Sequence, residues 1–128
     1  RFITNGGGFS VFNGATTGSY TTSGWQHVSD ERLKTNIKFI GSPLEKILQL
    51  RGVSYNCKQT PTSDPQIGFI AQEVEKVFPE AVTKTKDGTY AMAYQNLVAP
   101  LVEAVKEQQK QIEELKAEIK LLKAKQNN

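Results

Sequence analysis

Apolar and polar residues alternate along this chain with three different rhythms. In residues 1–28 short runs such as RFIT, FSVF and GSYTT are punctuated by glycines and carry hardly any charge, the pattern of short strands and turns. Too few apolar residues stand there to fold alone. Low-complexity disorder is the competing reading, but interspersed Phe, Tyr and Trp favour β-structure that pairs with something else. In residues 29–94 the run LKTNIKFI alternates strictly, with Leu33, Thr35, Ile37 and Phe39 on one face and Lys34, Asn36 and Lys38 on the other, which predicts a strand. SPLEKILQL follows, with Ser42 as N-cap, Pro43 at the first helical position, Glu45 completing a capping box and Gly52 placed to end the helix. Leu44, Ile47, Leu48 and Leu50 supply its apolar face. VSYNC is expected as a strand, KQTPTSDP as a loop, and QIGFI as a buried strand leading to a short helix, AQEVEKVF, stopped by Pro79. AVTKTKDGTYAMAY predicts a hairpin turning at Asp87-Gly88.

From residue 95 to about 125 the rhythm changes to steps of three and four. Val98, Leu101, Val105, Gln108, Ile112, Leu115, Ile119 and Leu122 recur over more than three heptads, a coiled-coil seam. Val98, Val105, Ile112 and Ile119 take the a positions, and Leu101, Gln108, Leu115 and Leu122 the d positions. Glu118 at g and Lys123 at the following e can pair across parallel chains. Pro100 places a kink or the true helix start near itself. A lone helix laid on its own globule is the competing reading, but the strict spacing and the polar remaining positions favour self-association. β-branched residues at a with Leu at d suit a dimer, whereas Gln108 interrupts the d layer, so the seam leaves the number of strands open. The expected fold class is α+β: short strands and helices in a small core, then a long C-terminal helix in a coiled coil.

Composition narrows the function classes. At 128 residues one modest domain is expected, and a start inside apparent strand sequence suggests the C-terminal piece of something longer. The formal charge of +3 is mild and its cations are interleaved with acids, so no basic stripe for nucleic acid is visible. The neutral TYAMAYQNLVAP ahead of the heptads also argues against a basic zipper. One cysteine, Cys57, and one histidine, His27, leave no internal disulfide and no Cys- or His-cluster metal site. Cys57, in an expected strand, reads as a small buried hydrophobe. No apolar run suits a membrane span and no signal pattern opens the chain; neither cofactor nor metal is expected.

One pair of residues suggests chemistry. In HVSDERLKTNIKF, Ser29 and Lys34 stand five apart, a spacing that separates them on a helix and puts them on opposite faces of a strand. They can meet only if SDER turns Ser29 back over the chain that follows, or if they meet across subunits. On spacing alone, Ser29 capping a turn and Lys34 in solvent is the favoured reading.

A wider set of motifs changes that balance. SDERLKTNI, then GVSY, IGFIAQEVEKVFPEAV and YQNLVAPLVEAVKE, in that order from about Ser29 to Glu107, resemble the C-terminal intramolecular chaperone of phage tail spikes, tail fibres and endosialidases. This autocleaving module is also classed as the S74 peptidase family. Similar modules end Bacillus phage neck-appendage proteins and occur in a membrane-anchored transcription factor of myelinating cells. The resemblance implies a homotrimer, with a parallel three-stranded coiled coil, that registers its own N-terminal stem as folding client. It then cuts that stem off during virion assembly in the host cytoplasm. Carried onto this chain, residues 1–28 are the end of a β-rich fibre or spike stem, 29–94 the chaperone core and 95–128 the trimerisation helix. The scissile bond is Val28-Ser29, with Ser29 as nucleophile and Lys34 as its general base.

Such chemistry requires a neutral amine, and a free lysine with a pKa of about 10.4 is neutral in only about one molecule in a few thousand at pH 7. Desolvation or a nearby cation must favour the neutral form; Lys38, on the expected strand face of Lys34, and Arg32 are the candidate cations. His27 reads as a junction residue outside the dyad, and Asp30 as a turn cap. Two other functions compete: a non-catalytic trimerisation module at the end of a fibrous protein, and a Ser/Lys hydrolase acting on other proteins, which lacks an evident substrate groove.

Overall fold

A computed structural model describes residues 2–5, 8–13, 16–21, 24–60 and 64–128. The chain divides into two compact units, Arg1–Phe39 and Ile40–Asn128. In the first unit, β1 (Phe2–Asn5), β2 (Gly8–Asn13), β3 (Thr16–Thr21) and β4 (Gly24–His27) pair antiparallel in chain order. Short connections permit this nearest-neighbour meander, and the register sets Phe9 opposite Tyr20 and Tyr20 opposite Trp25. The strand expectation for this stretch therefore holds. Arg1, Gly6, Gly7 and Gly14, the last three expected in turns, lie outside the described residues.

After β4 the chain departs from expectation. The alternating run from Leu33 to Phe39 is not a strand: Glu31–Leu33 forms a 3-10 turn, and Asn36 adopts a left-handed backbone at φ 53°. An alternating pattern makes a strand only where an edge accepts its backbone hydrogen bonds, and a left-handed residue interrupts the pleat. Leu33 and Ile37 stay exposed within the single chain, and Phe39 is 96% exposed.

The second unit contains α1 (Pro43–Leu48), β5 (Val53–Tyr55), β6 (Gln66–Gly68), α2 (Ala71–Glu75), β7 (Val82–Lys84), β8 (Tyr90–Met92) and α3 (Val98–Gln126). Two antiparallel ribbons, β5-β6 and β7-β8, sit among these helices. Val74, Phe78, Ala81 and Leu97 form the buried core, with Ile47, Leu50, Phe69, Val77, Val82 and Met92 packed around it. Turn chemistry explains the second ribbon: Asp87 accepts from the Thr89 N–H at 3.1 Å while Gly88 takes φ 86°, a conformation that favours glycine.

Several local expectations are corrected. Ser42 precedes α1, but its backbone is left-handed at φ 48° and its side chain caps nothing. The capping is tertiary instead. Glu107 on α3 accepts from the Leu44 N–H at 3.2 Å, placing a carboxylate where the helix N-terminus carries orphan donors and partial positive charge. Gly52 lies beyond a helix that has already ended at Leu48. β5 stops at Tyr55, so Cys57 falls in the following loop, half-buried rather than in a strand. Within β6 it is Gly68 that is buried, while Ile67 is exposed. α2 is over before Pro79, which opens a 3-10 turn at Pro79–Ala81. Residues 61–63 of the expected loop lie outside the described residues.

A 3-10 turn at Tyr94–Leu97 leads into α3, whose 29 residues begin at Val98. Pro100 is its third residue and is buried; so early in a helix its missing N–H removes no intrahelical bond. The stripe that meets the core carries Leu97, Pro100 and Ala104, with Glu107 half-buried one turn on. The apolar a and d residues form a neighbouring stripe, each 40–59% exposed within the single chain. α3 thus presents two apolar stripes, and its own globule covers one. Among the described residues no helix is long and apolar enough to cross a membrane.

Candidate active site

The short turn after β4 decides whether Ser29 and Lys34 can meet. Asp30 caps it: a carboxylate oxygen accepts from the Arg32 N–H at 2.9 Å, the usual role of Asp at a helical start. The Asp30 carbonyl then accepts from the Leu33 N–H at 3.1 Å, and the Glu31 carbonyl from the Lys34 N–H at 3.0 Å. One tight turn therefore reverses the chain between positions 29 and 34. Lys34 Nζ lies 2.6 Å from Ser29 Oγ and 3.0 Å from the Ser29 carbonyl oxygen. Of the two routes by which the pair could meet, the structure follows the local one.

Electrostatics hold the turn. The Arg32 guanidinium is forked onto Asp30, with Nη2 at 2.7 Å from one oxygen and Nε at 3.0 Å from the other. Arg32 thereby holds the Asp30 carboxyl below the usual carboxylate range, mainly through the side-chain hydrogen bond, and Asp30 raises Arg32 in return. The expectation that Arg32 acts as a repelling cation beside Lys34 is corrected by this pairing, because a matched carboxylate accompanies the charge. For Lys38 the shared strand face is gone, since the strand does not form and Asn36 turns the backbone. Val28, Ser29 and Lys34 are all exposed in the single chain. His27 accepts a hydrogen bond at Nε2 from the Trp25 indole N–H at 2.5 Å, with the rings edge to face. Among the described residues no three His, Cys, Asp or Glu side chains are grouped to hold a metal ion.

The comparison with protein families starts at this same serine. Residues 29–83 match the sequence model of the Peptidase S74 family, described as the chaperone of endosialidase. Over these residues the chain is similar to that family. The S74 segment thus begins at Ser29 and takes in the whole turn. Curated relatives extend the likeness. The long tail fiber protein Gp37 of Enterobacteria phage K3 is 35% identical over 98 residues, covering 71% of this chain and 8% of that protein. Gp37 of Enterobacteria phage M1 is 36% identical over 96 residues, covering 69% of this chain and 38% of the relative. Gp37 of Salmonella phage S16 is 33% identical over 104 residues, covering 74% of this chain and 14% of the relative. The chain therefore spans well under half the length of these fibre proteins.

Two features of the S74 segment and its helix were missed by reasoning from the sequence. The Asp30–Arg32 fork has a local signal, an acid and an arginine two apart at a helical start, but only a turn brings their side chains parallel. The Glu107 cap on α1 has none, because 63 residues separate donor and acceptor.

Proposed function

We propose that this chain is a trimerising intramolecular chaperone of a phage tail fibre or spike, and that it cuts its own backbone at Val28-Ser29. The observation that carries the reading is the 2.6 Å approach of Lys34 Nζ to Ser29 Oγ, within the reach required of a general base and its nucleophile. A neutral amine fits both contacts: its lone pair accepts the Ser29 hydroxyl proton while one N–H donates to the Ser29 carbonyl. Ser29 Oγ then attacks the Val28 carbonyl carbon as Lys34 takes the proton. Collapse breaks the bond from the Val28 carbon to the Ser29 nitrogen, that nitrogen receives a proton, and Val28 is left as an ester on Ser29. Water hydrolyses the ester, releasing a Val28 carboxylate and a chain that begins at Ser29. Because the nucleophile adjoins the bond it attacks, the reactants are already held together.

The family likeness supports the chaperone role, and the exposed a and d stripe of α3 supports association through a parallel coiled coil. Three strands rest on the family likeness; the seam by itself does not choose. In this reading the turn is covered by neighbouring chains, which withdraws water and favours the neutral amine, so that cutting follows assembly. Residues 1–28 are the stem end, 29–94 the chaperone core and 95–128 the trimerisation helix. The client and substrate is the protein's own stem, and the setting is host cytoplasm during virion assembly.

The exposure of Ser29 and Lys34 in the single chain favours a second reading, a trimerisation module in which Ser29 and Lys34 perform no chemistry. Intact mass spectrometry of fresh and aged protein separates the two. Wild type should yield the pair of fragments split at Val28-Ser29, while Ser29→Ala and Lys34→Ala remain whole yet still associate on size exclusion. Wild type that associates and stays at full length refutes the cleavage.

A further inference from the structure

We infer that the apolar groove beside the start of α3 is the seat for Val102 of a second copy, so that each globule grips its neighbour's helix as well as its own. The groove, of about 410 Å³, is lined by Ile47, Leu50, Phe69 and Leu97 from the core, by Tyr94, and by Val98 and Leu101 from the start of α3. That volume suits side chains rather than a trapped water, whose share is about 30 Å³.

Heptad geometry selects the occupant. The groove's α3 residues are Val98 at a and Leu101 at d, and Leu97, which ends the 3-10 turn just before the helix, stands in line with g, so the groove opens along the g flank of the seam. In a parallel coiled coil the g flank of one helix faces the e residue of the next heptad on its neighbour, five positions further along. For Leu97 that residue is Val102. Val102 is 51% exposed in its own chain. The other e positions of α3 are Gln109, Lys116 and Lys123, so the helix's one apolar e residue stands at the level of this groove. Further along the helix the corresponding pairs are Ala104 with Gln109, Gln111 with Lys116 and Glu118 with Lys123, each with a polar or charged e residue. A valine at e in water gains nothing; in the groove its apolar surface is removed from water against six apolar neighbours.

This inference rests on the parallel association proposed above, and the test separates the two. In full-length chains carrying Cys57→Ser, Gly52→Cys is placed on a tagged chain and Val102→Cys on an untagged one. Gly52 lines the groove, and a Cβ added there meets no atom within 4 Å, so the substitution leaves the wall intact. The chains are co-expressed and treated with a short bis-maleimide. Lys106→Cys, at the outward b position, replaces Val102→Cys as control, and Leu115→Cys on the seam reports association. The expected result is linked Leu115→Cys chains together with a mixed-length Gly52–Val102 band several-fold stronger than the Gly52–Lys106 band. Linked Leu115→Cys chains with equal mixed bands would overturn the inference, give the groove to another occupant and leave parallel association standing. Unlinked Leu115→Cys chains would overturn both.

Discussion

Gly68 and Tyr94 offer a sharp test of how the head of α3 is seated. Gly68 is the buried end of β6, and Tyr94 opens the 3-10 turn that launches the helix. The Tyr94 hydroxyl accepts from the Phe69 N–H at 3.1 Å, so the ring lies across the glycine. A Cβ built on Gly68 would overlap Tyr94 Oη and stand 3.3 Å from Cζ and 3.5 Å from Tyr55 Cε1. Gly68→Ala must then push Tyr94 aside, because the backbone on the other side of the clash is paired in the ribbon. Displacing the ring breaks the bond to Phe69 as well. Overpacking of this kind costs about 1–3 kcal/mol. Tyr94→Phe alone loses one hydrogen bond, about 0.5–1.5 kcal/mol. In the double variant the overlapping oxygen is absent and the bond is already gone, so the two losses are shared. We expect about 1–2 kcal/mol for the pair, less than the sum of the singles by at least about 0.5 kcal/mol, the range found for residues in contact. Urea unfolding followed by far-UV circular dichroism reads this directly, with a loss of about 2 kcal/mol moving the midpoint by about 1 M. All variants are compared at one chain concentration, since association adds to apparent stability. Losses that sum within about 0.3 kcal/mol would refute the proposed contact.

Two further predictions concern association and the turn. Ile112→Asp with Leu115→Asp should convert the associated protein to single chains on light scattering and abolish fragment formation. In the proposed three-chain assembly each Ile or Leu, already about half covered in its own chain, would forfeit roughly half of the ~1.5–3 kcal/mol for full burial, about 2–5 kcal/mol per layer; persistence of the full assembly would show that the seam is not the interface. Arg32 holds the Asp30 carboxyl below its ordinary value, so its contribution is present above the unfolded carboxylate pKa of about 3.9 and is lost as pH falls through the lower folded value. The Asp30–Arg32 fork should therefore survive from neutral pH down to about 4 and weaken only below. Carboxyl NMR titration checks this, and Asp30 titrating at or above the ordinary value would contradict the fork.

Much of the architecture was legible in local patterns because local chemistry decides it. Asp87-Gly88 turns a hairpin wherever it stands between two strand runs, and the strict spacing of Val98 to Leu122 permits little but a long helix with one continuous stripe. Pro100 was readable because a proline in a first turn marks a start. The failures fall where a pattern needs a partner. LKTNIKFI has a strand's alternation yet joins none of the described sheets, and Asn36 and the 3-10 turn prevail. SPLE has a capping box, yet Glu107 supplies the carboxylate from far along the chain.

Taken alone, then, the sequence determined that a serine and a lysine flank an acidic turn and that a long amphipathic helix follows a small mixed core. Spacing could not bring the two side chains together, since neither a helix nor a strand aligns positions five apart. Only the tertiary structure decided that the Asp30-capped turn folds Lys34 onto Ser29, and that the core covers one stripe of α3 while leaving the heptad stripe bare. Both outcomes depend on where the backbone reverses and on which surfaces run out of partners within one chain, and packing resolves these where periodicity cannot.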